Sequence, residues 1–161
     1  MKALSLTHPW ASLVSTGAKR IETRSWSTSY RGVLLIHAAK GFPVWARDLC
    51  QEEPFRSVLH AAGVYTWAAL PRGQIIGAGT LVECVTTDSL VRGLWQSAHG
   101  HLMTPQETAF GDYSPRRHGF ILDGVRRLPE PVPCTGALGL WDVPADVLAR
   151  VEEQLRGATT R

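Results

Sequence analysis

Gly17-Ala18-Lys19-Arg20-Ile21-Glu22-Thr23-Arg24 places an ammonium, a carboxylate and a guanidinium within eight residues, directly after a glycine suited to ending a helix. Residues from Ile21 onward are β-biased, and in a strand Glu22 and Arg24 share one face because side chains alternate. Lys19 lies at the preceding turn, within reach of that face. Such a group can bind a phosphate or a polar base edge, with Glu22 holding the cations in place. It can equally be a surface ion-pair ladder worth about 0–1 kcal/mol. Residue chemistry alone leaves both readings open.

Working outward, Ala3-Leu4-Ser5-Leu6-Thr7 alternates apolar and polar and predicts a short half-buried strand. Pro9 suits the first turn of a helix, where its missing N–H costs nothing. Trp10, Leu13 and Val14 then give that helix one apolar face, and Gly17 ends it in the left-handed conformation. Gly32 to Ala39 is a nearly continuous apolar run, as expected of a strand covered on both faces.

Residues 42–62 read as helix, broken at Pro54. The turn Pro71-Arg72-Gly73 launches a long strand from Gln74 to Val85, and its two glycines suit the bend of a barrel strand. Residues 88–110 are polar, helical in patches, and placed to act as a lid. His118 to Val125 predicts another strand, Pro129, Pro131 and Pro133 a rigid extended connector, and Gly139 to Val143 a last short strand. A closing amphipathic helix at about 144–156 aligns Val147, Leu148, Val151 and Leu155. Few regular crossover helices join these strands. The expected fold class is therefore α+β: a mixed or antiparallel β-barrel of about five to six strands with flanking helices, over residues 1–161 as one domain.

With 44% hydrophobic and 19% charged residues, a wholly disordered chain is excluded. No apolar run is long enough to span a bilayer, and the first ten residues do not resemble a signal peptide. Cys50, Cys84 and Cys134 are odd in number and far apart, which points to buried free thiols and a cytoplasmic setting. Charge is uneven. Residues 1–40 carry Lys2, Lys19, Arg20, Arg24, Arg31 and Lys40 against Glu22 alone, while Arg116-Arg117 and Arg126-Arg127 form a second basic knot. If the two regions meet they make a phosphate-attracting surface; otherwise they serve solubility.

His99-Gly100-His101 near Glu107 is the one metal-like cluster, and a flexible His-x-His of this kind is more often solvated. Trp67, Trp95 and Trp141 sit among apolar neighbours and read as core. Trp10, Trp26 and Tyr113 are candidates for stacking on a base. Glu83 and His37 read as structural or pocket-lining.

Pro9-Trp10-Ala11 through Lys40 resembles the ASCH domain, a member of the PUA-like group. The hallmark stretch G-x-K-x-x-E-x-R is matched by Gly17, Lys19, Glu22 and Arg24. Further similar pieces are Tyr30-Arg31-Gly32 with Ile36 to Lys40, the Gly73–Val85 strand, and Gly111-Asp112-Tyr113-Ser114-Pro115 with its basic pair. The resemblance implies a β-barrel with a cleft near the motif, used for RNA, single-stranded nucleic acid or modified nucleosides. Lys19, Arg24, Arg31, Lys40, Arg116 and Arg117 would then contact phosphate, and Trp26 and Tyr113 would stack.

A ribonuclease-like branch of the family implies catalysis through Lys40 and Ser114, with a divalent cation such as Mn or Mg as helper. An amidohydrolase branch acting on N4-acetylcytidine uses Lys, Thr and Glu. Lys19 matches its lysine, Glu22 stands where the Thr is expected and would shuttle a proton, and Glu107 is the nearest candidate acid. A non-catalytic binding module is the third expectation.

Overall fold

The computed structural model describes residues 1–93 and 103–157. The first strand, β1 (Lys2–Leu6), leads into α1 (Trp10–Ser15), which Gly17 ends at φ +77°, the left-handed value a Cβ would resist. Next come β2 (Ile21–Arg24) and β3 (Gly32–Ala38), then α2 (Val44–Leu49) and α3 (Phe55–Ala61) on either side of Pro54. A 3₁₀ turn at Trp67–Ala69 precedes β4 (Gln74–Thr86) and α4 (Thr87–Val91). The chain closes with α5 (Pro105–Ala109), β5 (His118–Pro133), β6 (Leu140–Asp142) and α6 (Ala145–Gly157).

The strands form one six-stranded curled sheet in the order β2-β5-β4-β3-β1-β6, mixed because β1 and β3 run parallel while the other pairs are antiparallel. The apolar run at 32–39 is explained by its central place. Leu34 and Ile36 point to a core with Leu4, Leu6, Leu81, Phe120 and Leu122. Leu35 points the other way, to Ala3, Ile75, Val132, Trp141 and the Val147–Val151 face of α6. Burying one such side chain is worth about 1.5–3 kcal/mol, so both layers are needed to hold the curl.

One element differs from expectation. The proline-rich stretch is not a connector but the second half of β5, running on past the end of β2. Cys134 N–H donates to Gly73 C=O, so Pro133, paired with Gln74, falls at a position where the β4 ladder asks for no donor. The ladder skips from Arg127 to Val132, and the excluded Glu130 has both backbone groups met by the Gln154 amide of α6.

The three thiols are free, but only Cys50 is buried, its pKa pushed up to about 11 by burial; Cys84 and Cys134 are half-buried. Trp141 is core, Trp67 is partly buried against Phe42, and Trp95 lies outside the described residues, as do His99 and His101 and much of the expected lid. No described helix is long and apolar enough to cross a membrane.

Candidate functional site

The 17–24 stretch forms neither an exposed phosphate clamp nor a surface ladder. Lys19 and Glu22 turn inward, while Arg20 stays part-exposed in a pair with Asp123. Lys19 is fully buried, donates to Ile21 C=O, and places Nζ 3.5 Å from Glu107 Oε1. Glu107, from α5, also accepts the backbone N–H groups of Arg20 (2.9 Å) and Ile21 (3.1 Å) and the Tyr113 hydroxyl (3.4 Å). Burial first, then the Glu107 and Glu22 carboxylates, push the Tyr113 phenol well above its ordinary pKa, so it stays protonated. Tyr113 is half-buried and packed beside Gly111, where a Cβ would come within 2.6 Å of its ring.

Glu22 and Arg24 do share a face of β2, with Arg24 Nε 3.2 Å from Glu22 Oε1 but out of line for a hydrogen bond. Arg24 also donates to Ser5 C=O at 2.9 Å. Because β2 is one edge of the sheet and β1 lies beside the other, this guanidinium bridges the seam where the curl nearly closes. Trp26, the expected stacking platform, is half-buried, its ring edge-on to Phe120 with centroids 5.0 Å apart at the seam.

The basic N-terminal region is largely neutralised. Five of its six cations form ion pairs: Lys2 with Asp142, Lys19 with Glu107, Arg20 with Asp123, Arg24 with Glu22 and Arg31 with Glu83. Arg31 additionally holds Thr28 and Tyr30 carbonyls, and Glu83 titrates below its usual range through the Cys84 N–H and then Arg31. Lys40 alone of the six has no acidic partner among the described residues.

Lys40 and Ser114 are not brought together. Lys40 stands by Gly73, before the start of β4, whereas the Ser114 carbonyl accepts from Thr87, just past the other end of that thirteen-residue strand. A joint catalytic pair is therefore not formed. Ser114 N–H donates to Asp112 Oδ1, and the Ser114 hydroxyl first, then that N–H and the Arg117 charge, hold the Asp112 carboxyl below its ordinary pKa. Arg117 reaches both Asp112 and the Thr23 carbonyl (3.4 Å), and Arg116 is exposed at a left-handed φ of 65°. No group of three or more His, Cys, Asp or Glu converges as a metal site among the described residues.

Above the buried network lies a cavity of about 400 Å³. Trp10, Phe55, Phe110 and Leu49 supply an apolar wall; Glu22, Thr23, Asp112 and Arg117 supply a polar one. Trp10 is fixed by its Nε1–H donating to Phe110 C=O at 2.7 Å, and Thr23 Oγ1 accepts from Asp112 N–H. Sequence reading singles out Glu22, Trp10 and Arg117 but not Phe55, Phe110 or Thr23, whose role depends on helices packing from distant segments.

On the sheet's other face a larger cavity, about 1020 Å³, is lined by Ser5, His37, Lys40, Arg72 and the 133–138 loop. Its floor is tied down. His37 Nδ1 lies 3.0 Å from Ser5 Oγ, its Nε2 lies 3.0 Å from Cys134 C=O, and Trp141 Nε1–H donates to Ser5 Oγ. Ser5 Oγ also lies 3.1 Å from Ala137 C=O, so its one hydrogen is shared between that carbonyl and His37 Nδ1, which accepts when the neutral ring donates from Nε2 to Cys134 C=O.

Burial lowers the pKa of His37 and of His8, whose ring spans Ser12 and the Pro71 carbonyl. A histidine held neutral in the fold and near 6.5 when unfolded gives stability that is complete above pH ~6.5 and lost as pH falls toward the folded pKa. Thermal melts should therefore show the midpoint dropping between pH 7.5 and 5.5, and His8→Gln should flatten that slope; equal slopes would exclude His8 as its source.

A curled six-stranded sheet, with a buried ion network and a cavity beside it, defines a small α+β half-barrel domain. The ASCH domain family model matches residues 4–122, and the chain belongs to that family. Activating signal cointegrator 1 from Mus musculus is 35% identical over 83 residues, 52% of this chain and 14% of that protein; the Homo sapiens protein is 34% identical over the same share. The chain thus spans a small fraction of these relatives' length. Among solved structures, the ASCH protein of Zymomonas mobilis superposes with a TM-score of 0.51 at 13% identity, covering 94% of this chain and 93% of that one. A point variant of it gives 0.52, covering 94% and 96%. At this identity the likeness shows the fold alone.

Proposed function

We propose that this domain binds single-stranded nucleic acid, RNA in the first place, by receiving one unstacked base in the 400 Å³ cavity. The two-sided lining of that cavity carries the reading. An aromatic and aliphatic wall of Trp10, Phe55 and Leu49 suits the face of a base, and Glu22 on the polar wall suits an exocyclic amine, the donor a carboxylate reads in cytosine. Arg117 and the exposed Arg116 beside it suit the flanking phosphate. Lys19 and Glu107 support this wall from below.

Ala109 ends α5 on the cavity lining and takes no part in the ion network, so Ala109→Phe fills the space without disturbing the fold. Fluorescence anisotropy with a labelled single-stranded RNA of about eight nucleotides should show affinity falling at least tenfold in this variant. Unchanged affinity with an unchanged melting temperature would overturn the reading. The same samples, run on a denaturing gel with and without Mn²⁺ or Mg²⁺, test for strand cleavage.

One observation favours a second reading, deacylation of an N4-acylated cytidine: Thr23 lines the cavity while Lys19 and Glu107 are paired against its floor, so Lys, Thr and Glu do gather here despite Glu22 at the motif position. Acetate released from N4-acetylcytidine, and lost in Thr23→Val, would establish it. No release from the folded protein would remove it.

A further inference from the structure

The larger cavity takes no part in that reading, yet it too presents available cations. Lys40 is the one member of the basic N-terminal region without an acidic partner among the described residues, and Arg72, also exposed, lines the same cavity. The two are held together by the intervening turn: Gly73 N–H donates to Ala38 C=O, and a Cβ at Gly73 would lie 3.9 Å from that of Lys40. One carboxylate, Asp146, lines the cavity as well, so the local balance stays positive. Its volume, about 1020 Å³, is at the upper end for ligand pockets and more than one base requires.

One side chain touches a lining residue of each cavity. Ser5 lines the larger and Glu22 the smaller, and Arg24 touches both residues, 2.9 Å from the Ser5 carbonyl oxygen and 3.2 Å from the Glu22 carboxylate.

We infer that the larger cavity is a backbone subsite for the same ligand, in which Lys40 and Arg72 hold phosphates of nucleotides flanking the base seated beside Glu22. The ligand class is then a single-stranded oligonucleotide rather than a free nucleoside. This rests on the binding reading above, and the test separates the two.

Affinity is measured for cytidine and for a labelled single-stranded RNA of about eight nucleotides, between about 50 and 200 mM salt, in wild type, Lys40→Gln/Arg72→Gln and Arg150→Gln, an arginine one helical turn beyond Asp146 and outside the cavity lining. The double variant should lose at least tenfold in oligonucleotide affinity. Its slope of log affinity against log salt should become shallower by about 1.4, roughly 0.7 per phosphate contact in a single strand, with cytidine binding unchanged. An unaltered slope, an equal loss in Arg150→Gln, or an oligonucleotide bound no more tightly than cytidine would overturn the subsite while leaving the base cavity standing. If neither cytidine nor oligonucleotide binds the wild type, the binding reading itself fails, and this inference with it.

Discussion

Glu107→Ala should cost the domain about 3–5 kcal/mol, a large share of the ~5–15 kcal/mol that holds a domain of this size together. The truncation removes the acceptor of two backbone N–H groups, Arg20 and Ile21, and strands the ammonium of Lys19 with no access to water. Urea unfolding monitored by tryptophan fluorescence measures it. Glu107→Gln keeps an acceptor for the N–H groups but leaves Lys19 without a counter-charge, so an intermediate loss is expected. The pair Lys19→Met/Glu107→Gln should regain much of the difference, because removing both charges also removes the burial penalty. Additive single-variant losses would mean that the two groups do not act as a pair.

Gly136→Ala is expected to cost about 2–3 kcal/mol, although the residue is on an exposed loop. A Cβ there would come within 2.4 Å of His37 Cε1 and 2.7 Å of Ser5 Oγ. The loop cannot retreat cheaply, because it is tied on either side of the glycine by the Cys134 carbonyl to His37 and by the Ala137 carbonyl to Ser5. Backing away would leave buried polar atoms of His37 without partners. A melting temperature within a degree of wild type would show that the loop yields more easily than these bonds imply. Leu138, two residues further along the same loop and almost fully exposed, is the matching control, and Leu138→Ala should be silent.

Where the sequence is legible, a local pattern decides the outcome. Alternation over Ala3 to Thr7, the apolar run at 32–39, the left-handed glycine after α1 and the stripe Val147-Leu148-Val151-Leu155 each become the element expected. Where it misleads, the deciding partner lies far along the chain. Charged residues are almost always exposed unless paired, so Lys19 and Arg24 read as surface until Glu107 and the Ser5 carbonyl supply their partners. The proline stretch reads as a connector because the ladder register that tolerates Pro133 is set by Gly73 and Gln74. Lys40 and Ser114 are joined by the family resemblance, and nothing local says that β4 separates them. Arg72 is visible only as a turn residue; its meaning comes from the neighbour across the turn.

The sheet's seam has a mechanical consequence. Every other join around the half-barrel is a ladder of backbone bonds, released only by melting a strand, whereas across the seam the described hydrogen bond from β2 to β1 is that of the Arg24 guanidinium to Ser5 C=O, beside the packed Trp26 and Phe120 rings. Such a wall behaves as a hoop with one buckle. Thermal breathing and any prying load concentrate at Arg24, and the lips can part and reclose while the hinge line through β5 and β4 stays intact. Amide protons flanking Ser5 and Arg24 should accordingly exchange with solvent earlier than those of β3, which lies in the stiff middle of the hoop.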